Sequence, residues 1–259
     1  MMNEKQQLLE IYRQNPCRTL PNVLWKTIDQ KDSLQIDIRR GHDDALTTLA
    51  VWQDSRLMAF WCEDPMEHPL SPEQVFNVPF ALVHSRALPI FEHHQFSRQE
   101  AYFRIIHKGT PSIYCCPPGF EYRNVYPQTE IDLIVKFVQS GYGNMKVNES
   151  IVREWLAHSV YEMPLWIWII DSATKEPVGL GIAELDRKVP EASLEWIQVL
   201  PTFQGLGLGK AIVAELLRRV SGIVDFTTVV GRIKNPTRPE KLFRRCGFLG
   251  RDLWWLLIT

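Results

Sequence analysis

Glycines 205, 207 and 209, with Lys210 directly after them, have the types and spacing to hold an anion. Glycine has no Cβ to keep a ligand off the backbone, and a helix starting near Gly207 would turn its first NH groups and the positive end of its dipole toward that ligand. A phosphate or pyrophosphate suits such a place. The elements that must position it lie on either side. An apolar strand, Glu191 to Val199, runs through Pro201 into the glycines, and an amphipathic helix, Gly207 to Val220, leads away from them.

The spacing separates this loop from the two commonest phosphate loops. A dinucleotide turn needs G-x-G-x-x-G, but counting from Gly205 the third glycine comes one position early, at Gly209, with Lys210 where it should stand. A Walker loop needs a glycine five residues before its G-K pair and a hydroxyl after it, and here those positions hold Gln204 and Ala211. The order Q-x-x-G-x-G from Gln204 to Gly209, after a strand and before an amphipathic helix, resembles the coenzyme A signature of the GCN5-related N-acetyltransferase (GNAT) family. A second block, Asn235 to Phe248, looks like that family's late N...LYxxxGF segment and follows at the right spacing. The resemblance covers roughly residues 121 to 259.

The resemblance implies acetyl-CoA as acyl donor, without a metal, and distributes roles over the chain. Ile197, Gln198 and Val199 would pair with the pantetheine arm, and the pyrophosphate would take NH groups from Gln204, Gly205, Leu206, Gly207, Leu208, Gly209 and Lys210. Because these contacts use main chain, Leu206 and Leu208 would be free to vary, whereas a bulky residue at 207 or 209 would meet the ligand. Glu195 is the leading carboxylate for a general base, acting directly or through water, and Glu184 on the preceding strand is second. Simple strand alternation puts Glu195, Ile197 and Val199 on one face and Trp196 and Gln198 on the other. Phe243 stands where the family often has a tyrosine acid and has no proton to give. Either Tyr161, Cys246 or water replaces it, or the coenzyme leaves as thiolate. Asn235 would contact pantetheine or cap the following helix. On the acceptor side the resemblance places the segment Ser140 to Asn148, with Tyr142 between two glycines, and Trp166 and Trp168 as substrate contacts whose alternative is a place in the core.

Composition narrows the partners. The chain has 259 residues, 29 basic and 30 acidic, a net charge of −1, and no run of Lys and Arg, which argues against nucleic acid. No stretch has the length of a membrane span, and the polar N-terminal residues do not read as a signal peptide, so the expected location is the cytoplasm. Cysteines 17, 62, 115, 116 and 246 form no C-x-x-C pair and are read as reduced and mostly structural; the histidines, including His93-His94, show no metal-ligand spacing.

The expected fold is α/β (α+β), a GNAT-type mixed and largely antiparallel sheet flanked by helices. Its elements are helices over 130–139 and 149–158, strands over 165–170, 178–185 and 191–199, a helix over 207–220, a strand over 226–230, a helix over 239–245 and a strand over 253–258. The first half echoes the end of the second: Ile90 to Ile106 can be laid on Leu242 to Ile258, bringing Phe91 onto Phe243, Phe96 onto Phe248 and Tyr102-Phe103 onto Trp254-Trp255. Yet Met58 to Glu73, where the earlier loop would fall, contains no glycine. The expected division is a degenerate GNAT-like domain over 1–108, a Gly- and Pro-rich linker over 109–120 and an acetyltransferase domain over 121–259, in tandem. The function read from these features is acetyl transfer to the primary amine of a small molecule or peptide, with no nucleic acid or membrane partner and with a homodimer left open. The alternative is a coenzyme A-binding sensor or scaffold with weak or lost catalysis; a nucleotide-phosphate protein comes third.

Overall fold

The structure is a computed structural model that describes residues 3–28, 34–141 and 147–259. The chain divides into two compact units, one of Met1–Ile106, Val230–Glu240 and Leu249–Thr259, the other of His107–Val229 and Lys241–Phe248. The C-terminal strand therefore belongs to the unit built mainly from the first half.

In the first unit, α1 (Glu4–Gln14), α2 (Pro16–Thr19) and α3 (Leu24–Ile28) precede an antiparallel sheet of β1 (Leu34–Arg40), β2 (Leu46–Gln53) and β3 (Arg56–Cys62). A short 3₁₀ turn, Gln74–Asn77, leads to β4 (Phe80–His84), and another, Leu88–Phe91, to β5 (Arg98–His107). The last strand of the chain runs antiparallel to both β4 and β5, with Trp254 opposite His84 and Tyr102. The two segments of the sequence echo are thus bonded neighbours. Phe60, Val75, Val83, Phe91, Trp254 and Leu257 share one apolar core. Arg104, only 1% exposed, donates to the Pro16 and Leu20 carbonyls and to the Tyr12 hydroxyl, so its buried charge fastens α1 and α2 in place.

The second unit holds β6 (Phe120–Asn124), α4 (Pro127–Gly141), α5 (Glu149–Ala157), β7 (Trp166–Asp171), β8 (Pro177–Asp186), β9 (Glu191–Val199), α6 (Leu208–Val220) and the start of β10 (Phe226–Arg232). α7 (Pro239–Arg245) and β11 (Leu249–Ile258) complete the chain. The strand order β10-β9-β8-β7-β6 is antiparallel except for the parallel pair β9 and β10. Among the described residues no helix is long and apolar enough to cross a membrane.

Glu130 sets the start of α4. Its carboxylate accepts from Arg123 Nη2 at 2.6 Å, the Tyr126 NH at 2.8 Å and Trp168 Nε1 at 3.1 Å. Burial alone would raise its pKa, but these donors outweigh it and the net direction is down. One face of the sheet, with Trp166, Trp168, Leu180 and Ile182, packs against Ile134, Phe137 and Val138 of α4 and Val152 of α5. The other face meets α6, and glycines make that approach possible. A Cβ on Gly181 would collide with Ile212 Cγ2 and press on Ile167 Cγ1 at 3.1 Å and Leu216 Cδ1 at 3.2 Å. Gly181→Ala is therefore expected to destabilise the fold by about 1–3 kcal/mol through overpacking. Denaturant midpoints check this; a variant as stable as the parent would show that α6 has room to retreat.

Candidate functional site

The glycine loop joins β9 to α6. Gly205 and Gly207 have φ of +83° and +82°, the left-handed region where a Cβ is costly, and Gly207 is the residue before the first turn of α6. No side chain caps that helix, so its first-turn NH groups lack a side-chain acceptor, and Lys210 belongs to the same turn. Gln204 Nε2 donates to the Val199 carbonyl at 3.2 Å and braces the turn against the end of β9. The donor set of backbone NH and ammonium suits a diphosphate.

Two sequence expectations about this loop need correction. Leu208 is 1% exposed and anchors α6 in the core, so of the two leucines only Leu206, 51% exposed, is free to vary. The Cβ directions of the glycines are also taken by protein: at Gly207 the Tyr114 hydroxyl lies 2.5 Å from the Cβ position, and at Gly209 Leu242 Cδ2 lies 3.2 Å away. Gly209 lets α7 close onto the start of α6.

β9 departs from simple alternation. Glu184 pairs with Ser193, Ala183 with Leu194 and Ile182 with Trp196, so the register steps over Glu195, the extra residue of a β-bulge. Ser193 Oγ donates to Glu195 Oε1, which sets the carboxylate on the Ser193 side. Register then carries Trp196 and Gln198 with Ile182 and Leu180 toward α4 and α5, and Ile197 and Val199 with Gly181 and Gly179 toward α6. The expected grouping of Glu195 with Ile197 and Val199 is thus overturned, because a bulge shifts the side-chain period by one. Glu195 is half-buried, whereas Glu184 is buried at 8% exposure. Beyond the bulge, Gln198 Nε2 donates to the Phe137 carbonyl at 2.6 Å and the Ser140 hydroxyl at 3.3 Å, while its Oε1 accepts from Trp196 Nε1 at 2.8 Å. This amide ties β9 to the end of α4, and Gly141 has no Cβ because the Gln198 amide occupies that position.

The pairing of β9 with β10 covers Glu191, Ala192 and Ser193 and then stops, while its pairing with β8 continues to Val199. Thr228 Oγ1 donates to Glu191 Oε1 at the closed end. The backbone edge of Ile197 to Val199 therefore leads, beyond the point of divergence, toward the glycine loop.

The remaining predicted residues are dispersed. Trp166 and Trp168 are 1% and 0% exposed and belong to the core, which corrects their assignment to substrate. Tyr142 lies outside the described residues. Tyr161 stacks edge-on to Trp166 at 5.5 Å, and burial raises its pKa. The Cys246 thiol is buried and pushed up to about 11 by that burial, with Lys210 pulling the other way, so it is a poor proton donor to a thiolate. Phe243 is buried edge-on to Phe248 at 5.7 Å. Asn235, in the first unit, accepts from Thr237 N and Oγ1 at 3.0 and 2.8 Å; it closes a local turn ahead of α7 and does not cap its first turn. The sequence reading missed Gln198 as a brace and Tyr114 as a neighbour of the loop. The only signal for the second is an aromatic residue inside a Pro- and Gly-rich connection.

Comparison with known proteins fits this geometry. The family model described as "Acetyltransferase (GNAT) family" matches residues 140–248. A GCN5-related N-acetyltransferase from Sphaerobacter thermophilus aligns over 90% of this chain and 82% of its own, with TM-score 0.64 and 13% identity. A GNAT-family acetyltransferase from Colwellia psychrerythraea aligns over 100% of this chain and 98% of its own, with TM-score 0.62 and 11% identity. A tandem GNAT protein from the clavulanic acid biosynthesis pathway covers 88% of this chain and 84% of its own, with TM-score 0.51 and 11% identity. A search of curated protein sequences finds no match. At such identities the structural likeness speaks for the fold, and the likeness in sequence to the GNAT acetyltransferase family rests on the matched segment, residues 140–248.

Proposed function

We propose that this protein transfers an acetyl group from acetyl-CoA directly to the primary amine of a small molecule or peptide. The observation that carries the reading is the course of β9, which parts from β10 after Ser193, bulges at Glu195 and leads through the 3₁₀ turn Pro201–Phe203 into the uncapped glycine loop. From Glu195 to Val199 the strand rises about 13 Å, a length along which an extended pantetheine arm can lie. The loop NH groups and Lys210 hold the diphosphate, and the edge of Ile197 to Val199 takes the amides of the arm. Acetyl-CoA supplies the acyl group as a thioester. Glu195 takes a proton from the amine as its nitrogen bonds to the carbonyl carbon; the C–S bond breaks and sulfur leaves with the electron pair.

The proton for that sulfur is the open step. Phe243 has none to give and Cys246 is held too basic, so departure as thiolate is the favoured course. Phe243→Tyr is accordingly expected to change kcat less than about 3-fold, within the range where general acid catalysis contributes nothing. A gain of 100-fold or more in steady-state rate would show that the missing hydroxyl limits this enzyme.

The first unit reads as a copy that has lost its coenzyme loop. Its order β1-β2-β3, turn, β4, turn, β5 parallels β7-β8-β9, α6, β10, α7, β11, with 3₁₀ turns Gln74–Asn77 and Leu88–Phe91 where the second series has helices. The second functional reading, a coenzyme-binding sensor, is favoured by Phe243 alone. Release of free thiol from acetyl-CoA across a panel of amines and N-terminal peptides decides between them. Amine-dependent thiol supports the transferase; coenzyme binding with no thiol from any amine supports the sensor.

A further inference from the structure

Tyr114 belongs to the connection between β5 and β6, and within the second unit it reaches the glycine loop. A Cβ on Gly207 would lie 2.5 Å from its hydroxyl and 3.8 Å from Pro117 Cγ, and the Lys210 ammonium stands 4.3 Å from the centre of its ring. Ile113 beside it is 96% exposed, whereas Tyr114 is half-buried, so the segment turns this ring onto the loop. Among the described residues the Tyr114 hydroxyl makes no hydrogen bond. A phenol held over bare backbone, with its proton uncommitted and a cation on its face, is poised to serve an acceptor that approaches the same loop.

We propose that Tyr114 is a coenzyme-binding residue: its hydroxyl donates to a diphosphate oxygen held on the Gly207 loop, and its ring keeps the Lys210 ammonium at the same group. This rests on the reading of the loop as the coenzyme site. The class of ligand follows from the donors. Backbone NH, ammonium and phenol offer hydrogens and positive charge, which match a dianionic diphosphate and repel a cation. The connection is then part of the binding site as well as a link in the chain.

Calorimetric titration of the full chain with coenzyme A tests this with two variants. Tyr114→Phe keeps the ring over Lys210 and removes only the hydroxyl, and is expected to raise Kd about 10-fold, as loss of a hydrogen bond to a charged group does. Tyr114→Leu also frees Lys210 and is expected to raise it further, with the thermal midpoint of both variants close to the parent's. Unchanged Kd in both variants overturns the proposal. Tighter binding overturns it too, and would mean that the segment covers the loop against the ligand. If the parent chain itself fails to bind coenzyme A, the loop reading falls and the role of Tyr114 with it; if the parent binds and both variants bind equally well, the role of Tyr114 falls alone.

Discussion

Glu195→Gln is expected to lower kcat by about 100- to 1,000-fold, the range for loss of a positioned general base. The amide has nearly the shape of the carboxylate and its oxygen can still accept from Ser193 Oγ, so the bulge and the strand should stand. What disappears is a proton acceptor on the side of β9 that faces α4 and α5. Coenzyme affinity should stay within about 2-fold, because no diphosphate or pantetheine contact is assigned to this side chain. The deficit should shrink as pH rises toward the pKa of the amine, since solvent then removes the proton that Glu195 otherwise takes. Glu184→Gln is the comparison: buried and one strand away, it should cost less activity and more stability. If Glu195→Gln keeps a third or more of the parent rate, with parallel pH profiles, Glu195 is not the base.

Gly207→Glu should weaken coenzyme binding by roughly 100-fold or more, the scale of one like charge set about 4 Å from a phosphate at intermediate dielectric. A non-glycine residue at φ +82° adds strain of about 1–2 kcal/mol, and its Cβ would displace the Tyr114 hydroxyl. A carboxylate before the first turn of α6 is, however, favourable to the helix itself, so the fold should survive with a modest loss of thermal stability. Gly205→Ala separates the causes. Its φ is +83° but nothing lies within 4 Å of its Cβ position, so it carries the strain without the charge or the collision. Binding by Gly205→Ala should fall less than about 10-fold. Equal losses in the two variants would mean that loop geometry, and not charge at the helix terminus, governs affinity.

Much of the second unit is legible in the sequence because its elements are long and strongly periodic. The strand expected over Glu191 to Val199 and the helix over Pro239 to Arg245 have the bounds found in the structure, and α4 extends only three residues before and two after the expected 130–139. What periodicity cannot show is an interruption of period. The bulge at Glu195 leaves no mark in composition, yet it moves that side chain to the other face from Ile197 and Val199. Burial is equally silent. Trp166 and Trp168 are residue types found in cores and pockets alike, and only the packing of α4 decides for the core. β11 begins at Leu249, four residues before the expected start, because its pairing with β5 extends back to Leu249 opposite Ile106. Tyr114 eluded the reading for a different reason: a Pro- and Gly-rich stretch reads as a connection, and its approach to Gly207 is a contact across 93 residues. In the first half the aromatic echo reaches only β5, and the short turns Gln74–Asn77 and Leu88–Phe91 are too brief to show a period.

Calorimetric titration of the full chain with acetyl-CoA shows whether one coenzyme binds at the loop from Gln204 to Lys210. One site per chain is expected, lost in Gly207→Glu. Two equivalent sites would contradict the loss of the loop from the first unit, and no heat at millimolar acetyl-CoA would contradict the transferase reading itself, leaving a GNAT fold without its coenzyme.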